Sequence, residues 1–151
     1  MQLLVTDPVW TWREWLKQNL GKRDLVCLDT GDADHGPPGR AFLLRGGKVR
    51  AWRLVGSVYS NRNPVDLLAG AATMLASAAK DAVVLSFALR ESPVLRQMAL
   101  ALAEMCQPDE ILLPKGSQFV NEPWPVMATT HELPKSLPES AQTAQRRAQW
   151  L

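Results

Sequence analysis

Cysteine, histidine and tyrosine are scarce in this chain, at two, two and one in 151 residues. Cys27 and Cys106 lie in apolar segments with no C-x-x-C spacing and no histidine close by in sequence, which excludes a disulfide framework and predicts buried free thiols. Two histidines undersupply a dinuclear metal centre. Long apolar runs are missing too: the stretch between Asp66 and Lys80 is too short and too alanine-rich to span a bilayer. No basic-then-apolar leader opens the chain, so a soluble, cytoplasmic protein with no membrane contact is expected. Neither G-x-G-x-x-G nor G-x-x-x-x-G-K-[ST] occurs, which leaves a Rossmann-like nucleotide binder supported by fold analogy alone. A net charge of +2 supplies no global field for nucleic acid. One local deficit is sharper: from His35 to Val65 there is no acidic residue, against six basic ones.

What is present orders itself by helix starts and strand runs. Asp7-Pro8, Asn63-Pro64 and Ser92-Pro93 each place a capping side chain before a proline whose fixed φ suits a first helical turn. They predict helices over 8–20, 64–80 and 93–107, with a weaker polar helix over 137–151. Short continuous runs rich in Val, Ile and Leu at 2–6, 24–29, 81–87 and 109–114 read as strands buried on both faces. Residues 40–56 read as a hairpin closed on Gly46-Gly47, and a further strand is expected near 124–129. The order predicts one α/β domain, a three-layer sandwich on a mixed, mainly parallel sheet of five to six strands. Residues 1–23 are expected as an N-terminal strand-helix addition, 24–116 as the core, and 117–151 as a proline-rich arm and terminal helix.

The densest chemistry is CLDTGDADHGPPGRAF, residues 27–42, where Asp29, Asp32, Asp34 and His35 fall within seven positions. Asp29 stands at a strand end. Asp in such a turn can cap its own backbone while Gly31 completes the bend, and it can equally offer a carboxylate to a hard cation. From Asp24 onward the order strand, hairpin, helix, strand, helix, strand, with Asp29-Thr30-Gly31 closing the first strand, resembles the ribonuclease H-like superfamily. That resemblance implies a Mg²⁺ or Mn²⁺ ligand or phosphate contact at Asp29, with Asp32 or Asp34 assisting catalysis. It also implies a second acid near the end of the strand at 81–87. Ser86 stands there, with Glu91, Glu132 and Glu139 the later acids that could substitute.

Pairing across Gly46-Gly47 sets Arg45 opposite Lys48 and Phe42 opposite Ala51, giving a core face of Phe42, Leu44, Val49 and Ala51. The other face carries Leu43, Arg45, Lys48, Arg50 and Trp52. Together with Arg40 this basic, aromatic face fits a phosphate backbone and a stacked base. It fits equally a strand edge guarded by charge. Trp12 and Trp15 follow the apolar stripe of the first helix, whereas Trp10 falls beside Glu14 and Lys17 and is expected to contact a protein partner or a second copy.

The sequence thus leads to a binding domain for a phosphate-bearing ligand, nucleic acid foremost, with Mg²⁺- or Mn²⁺-dependent phosphodiester hydrolysis as its catalytic form and enzymatic activity left open. Its rival is a non-catalytic interaction or assembly module using Trp10 and the proline-rich arm, and a nucleotide-binding domain stands third.

Overall fold

The computed structural model describes residues 1–150 except positions 33, 36, 37, 58, 61, 90 and 91, and omits the side chains of Glu139, Gln149 and Trp150. The elements run β1 (Gln2–Thr6), α1 (Arg13–Asn19), β2 (Leu25–Cys27), β3 (Arg40–Arg45), β4 (Lys48–Leu54), α2 (Pro64–Ser77), β5 (Val83–Ala88), α3 (Pro93–Cys106), β6 (Glu110–Pro114), β7 (Ala128–His131) and α4 (Glu139–Trp150). The seven strands form one sheet in the order β4-β3-β2-β5-β1-β6-β7. β2, β5, β1, β6 and β7 are parallel, and the β3–β4 hairpin adds antiparallel to β2. The chain is therefore α/β with a mixed sheet, one strand wider than expected.

β1 sits between β5 and β6. The expectation of an N-terminal addition is corrected on this point: the first strand is the middle of the parallel sheet, because Leu3, Leu4 and Val5 make it apolar on both faces and both its edges are paired. Leu3 and Val5 face one side and Leu4 the other, and all three are at most 1% exposed. The second layer, formed with α2 and α3, packs on Leu3, Val5, Val26, Leu28 and Val84. Opposite them, Trp12 and Leu16 from the start of α1 cover Leu4, Leu85 and Leu112. Parallel crossovers are right-handed. Hence the β1→β2 connection and the β5→β6 connection, which leave in opposite directions along the sheet, carry their helices on opposite faces.

Local chemistry sets the element ends. Ser92 caps α3 by accepting the Leu95 N–H, with Pro93 in the first turn. Asn63 precedes α2 but donates instead to the Val55 carbonyl at 2.6 Å. α1 begins five residues later than the Asp7-Pro8 signal implies. Asp7 Oδ1 takes the Val9 N–H at 3.0 Å in a tight turn, and residues 9–11 then pair with 134–136 of the C-terminal arm through Thr11 N–H to Pro134 C=O and Ser136 N–H to Val9 C=O. Gly70 of α2 lies so close to the hairpin that a Cβ there would stand 3.4 Å from that of Ala41.

The hairpin turn forms on Gly46-Gly47, both with positive φ, but the register slips by one residue. Leu44 pairs with Val49 and Leu43 with Ala51, so Arg50 bulges out of the ladder. Trp52 consequently lies opposite Phe42 rather than Ala41. This corrects the expected sorting: both faces of β3 are buried, Ala51 packs on the α2–α3 side, and Val49, Trp52 and Leu54 share the other side and stay exposed.

At the amino end of β2, Arg45 donates twice to Asp24, at 2.9 and 2.7 Å, and the Ala79 N–H adds a third bond at 3.0 Å. The Arg45 hydrogen bonds hold the buried Asp24 carboxyl below the usual range. Asp24→Ala is expected to lower unfolding free energy by about 1–3 kcal/mol, since it leaves the Ala79 N–H without its acceptor and removes both charge-assisted bonds to Arg45. Because the folded pKa is depressed, the wild-type contribution is complete above the ordinary carboxyl pKa and disappears as pH falls through the lowered value. Urea unfolding from neutral to acid pH measures both.

Candidate functional site

β1 and β5 are neighbours whose following connections diverge, and in open parallel sheets the crevice at such a switch point is where ligands bind. A cavity of about 350 Å³ occupies it, walled by Thr6 at the end of β1 and Asp7 just after, Ala88 at the end of β5, Asp29 and Asp32 after β2, and Arg146 from α4.

In a phosphate-binding strand–loop–helix unit, the first loop turns free N–H groups toward the anion. Here four of those groups are occupied: the Val9 and Trp10 N–H groups donate to Asp7, the Thr11 N–H to Pro134, and the Arg13 N–H to Thr11 Oγ1. Trp12, 2% exposed, fills the space beneath and donates its indole N–H to the Val5 carbonyl at 2.9 Å. Positive charge in the cavity comes from side chains. Arg13, Lys135 and Arg146 all line the cavity. The Arg146 Nε–H donates to the Gly31 carbonyl at 3.0 Å, and Gly31 leaves room for it, because a Cβ there would lie 2.9 Å from the guanidinium and 3.4 Å from Asp29 Oδ1.

Asp29 lies where the sequence places it, on the cavity wall, its Oδ1 accepting the Gly31 N–H at 3.0 Å. Asp32 and Asp34 reach the same wall but are turned to other partners. Asp34 pairs with Arg13, whose Nε–H donates at 2.9 Å. Asp32 accepts the Asp34 N–H at 2.6 Å on Oδ1, and on Oδ2 it meets His35 Nδ1 at 2.5 Å and the Cys27 thiol at 3.5 Å. Burial is the largest single influence on Asp32 and opposes its ionisation, yet the hydrogen bond and charge of His35, the Asp34 N–H and the Cys27 thiol together outweigh it and keep the carboxyl below its usual range. The same bond raises His35. Burial pushes Cys27 well up, and Cys106 to about 12.

The other acid at a strand end is Asp7, but β5 lies between β1 and β2, which sets the two strands about 10 Å apart. Ser86, in the place of the expected second carboxylate, accepts the Thr6 N–H at 2.9 Å and so absorbs the register shift in β1. Glu132 pairs with Lys115 at 2.6 Å, away from the cavity; Glu91 and the Glu139 side chain lie outside the described residues. Among the described residues Asp29 stands as one carboxylate, the number a Mg²⁺ or Mn²⁺ ion uses when its remaining ligands come from water and a phosphate, and one fewer than a paired-acid site needs.

The hairpin residues do not converge on this cavity. Arg45 is committed to Asp24 at the amino end of β2, about 16 Å from Asp29 along the strand. Lys48 lies at the same turn, and the bulged Arg50 is exposed beside it. Arg40 stacks on Trp52, its Cζ 4.5 Å from the ring centroid. Trp10 belongs to the loop before α1, half-buried, with its ring over Gly116; the expected exposed position on a helix is corrected. Arg13, Lys135 and Arg146 are the residues that sequence reading missed. None carries a motif, since the first opens a short helix, the second lies in the arm, and the third sits in a polar helix 115 positions from the glycine it holds.

No protein-family model and no curated protein matches the chain. Among solved structures it is similar to a chain in the structure of the extended interface between Pcf11p and Clp1p and of the basis for ATP loss in a point mutant. The TM-score is 0.63 at 10% identity, covering 99% of this chain and 48% of that one. The chain therefore spans about half the length of that neighbour, and the likeness is one of α/β fold.

The His35–Asp32 bond gives the metal-free protein a two-sided pH profile. The raised imidazole contributes stability that is complete below its ordinary pKa of about 6.5 and is lost as pH rises through the higher folded value. Asp32 does the reverse, contributing above the ordinary carboxyl pKa of about 3.9 and losing that as pH falls. His35→Gln should cost about 1–3 kcal/mol near pH 6 and flatten the alkaline-side loss, as read by denaturant unfolding across pH.

Proposed function

We propose that the switch-point cavity binds a phosphate-bearing ligand of nucleotide type, gripped by the side chains of Arg13, Lys135 and Arg146 rather than by a glycine-rich loop. Mg²⁺ or Mn²⁺ would bridge the phosphate to Asp29. The observation that carries this reading is the position of the cavity, at the carboxyl ends of β1, β2 and β5 with Arg146 held beside Asp29 through Gly31. The neighbour of similar fold lends support, since its description connects it with ATP. Hydrolysis of a phosphodiester is the less supported form, because it asks for a second carboxylate beside Asp29. A nucleic-acid strand would have to reach Arg50 and Trp52 on β4.

Titration calorimetry with ATP and Mg²⁺ is expected to show one saturable site. Arg146→Ala should weaken it by about tenfold or more, the worth of one charge-assisted hydrogen bond, and Asp29→Asn should remove its dependence on the cation. Absence of binding to ATP, ADP and inorganic pyrophosphate would reject the reading.

The assembly-module reading has its own observation. β4 is the edge of the sheet, and its uncovered face exposes Val49, Trp52 and Leu54 at 46%, 54% and 56%. Flanked by Lys48 and Arg50, it suits an acidic, extended segment of a partner protein that adds as a strand. A synthetic peptide alternating Glu and Val should bind with salt-sensitive affinity that the double change Trp52→Ala and Leu54→Ser abolishes. Affinity untouched by that change excludes this edge.

A further inference from the structure

We propose that Cys27, Asp32 and His35 form a mononuclear site for zinc or a similar divalent transition-metal ion, open to the cavity at its fourth position. One sulfur, one carboxylate oxygen and one imidazole nitrogen from these residues lie within 4.8 Å of one another. The set is assembled by the fold. Cys27 ends β2 with its side chain on the α1 face, and the loop that follows returns over that face to bring Asp32 and His35 onto it.

The spacing suits a tetrahedral ion. Zinc bonds of about 2.0–2.3 Å place ligand atoms roughly 3.3–3.6 Å apart. Cys27 Sγ and Asp32 Oδ2 already stand 3.5 Å apart. His35 Nδ1, now 2.5 Å from the same oxygen, has to withdraw by about 0.8 Å, exchanging its hydrogen bond for a metal bond. Asp32 is also oriented from outside the set, because the Asp34 N–H holds its other oxygen at 2.6 Å and Arg13 holds Asp34. Asp32 and His35 line the cavity while Cys27 is buried, so the fourth position faces the open side, the arrangement in which a zinc ion keeps an exchangeable water.

Donor chemistry selects the ion. A thiolate with an imidazole and a single carboxylate favours a borderline ion such as Zn²⁺ or Co²⁺ over Mg²⁺ or Ca²⁺, which prefer oxygen alone. Without metal, Cys27 is a buried thiol beside two carboxylates. Coordination replaces its S–H bond with a metal–sulfur bond and sends the proton to solvent, so no oxidant or reductant is needed. The three ligands are not among the groups assigned to grip phosphate; the two readings share only Arg13, which acts on the metal site through Asp34.

Co²⁺ added to metal-free protein should give a thiolate-to-cobalt charge-transfer absorption that saturates at one ion per chain. It should disappear in Cys27→Ser, persist in Cys106→Ser, be displaced by Zn²⁺ and resist excess Mg²⁺. Zn²⁺ should raise the thermal midpoint of the wild type, and His35→Gln and Asp32→Asn should each weaken zinc affinity by more than about tenfold. These two folded-state readouts stand even where Cys27→Ser fails to fold. No thiolate absorption in the wild type, or absorption that survives Cys27→Ser, would overturn the site. So would zinc affinity unchanged in both other variants.

Discussion

Burial of the parallel strands on both faces is the constraint from which the rest of the molecule follows. Leu3, Leu4 and Val5 of β1, Val26 of β2 and Val83 and Val84 of β5 are at most 1% exposed. Strands so buried need helices above and below, and right-handed crossovers decide which helix goes where. The β1 and β5 connections diverge to reach opposite faces, and their divergence opens the cavity. The candidate site is therefore a by-product of covering the sheet, and Asp29, Ala88 and Asp7 line it because they lie at the carboxyl ends of β2, β5 and β1, consecutive in the sheet.

Within the cavity, charge is organised in pairs rather than left as a bare acidic cluster. Arg13 holds Asp34, His35 and Cys27 hold Asp32, and Arg146 is anchored on Gly31 next to Asp29. The first loop, where a nucleotide-binding sheet of this kind would present its backbone, uses its N–H groups on Asp7, Thr11 and Pro134. In the proposed reading, recognition therefore falls to side chains, supplied by α1, the acidic loop, the segment before α4 and α4 itself. The C-terminal arm joins in because its backbone pairs with residues 9–11 and carries α4 back over the cavity mouth.

Strand runs at 2–6, 81–87 and 109–114 and the hairpin turn could be read from composition, because a strand buried on both faces has to be continuously apolar and the turn needs two residues of positive φ. Asp29 was legible for the same local reason, as an acid at a strand end. Less visible were the features that depend on what packs against them. The Asp7-Pro8 signal is a sound helix start in isolation, but Asp7 closes a turn instead, since the loop is claimed by residues 134–136. Alternation along β4 fails at Arg50 because the bulge moves Trp52 onto the Phe42 side.

Local side-chain chemistry settled the α/β alternation, the caps at Ser92 and in the glycine turn, and the gathering of acids after β2, all of which act over a few residues. Packing settled what distance along the chain conceals: β1 at the centre of the sheet, Arg45 committed to Asp24, Arg146 beside Asp29, and a cysteine, an aspartate and a histidine brought within 4.8 Å. The physical reason is that hydrogen bonds and ion pairs are indifferent to sequence separation, and which of them form is fixed only once the apolar faces have chosen their partners.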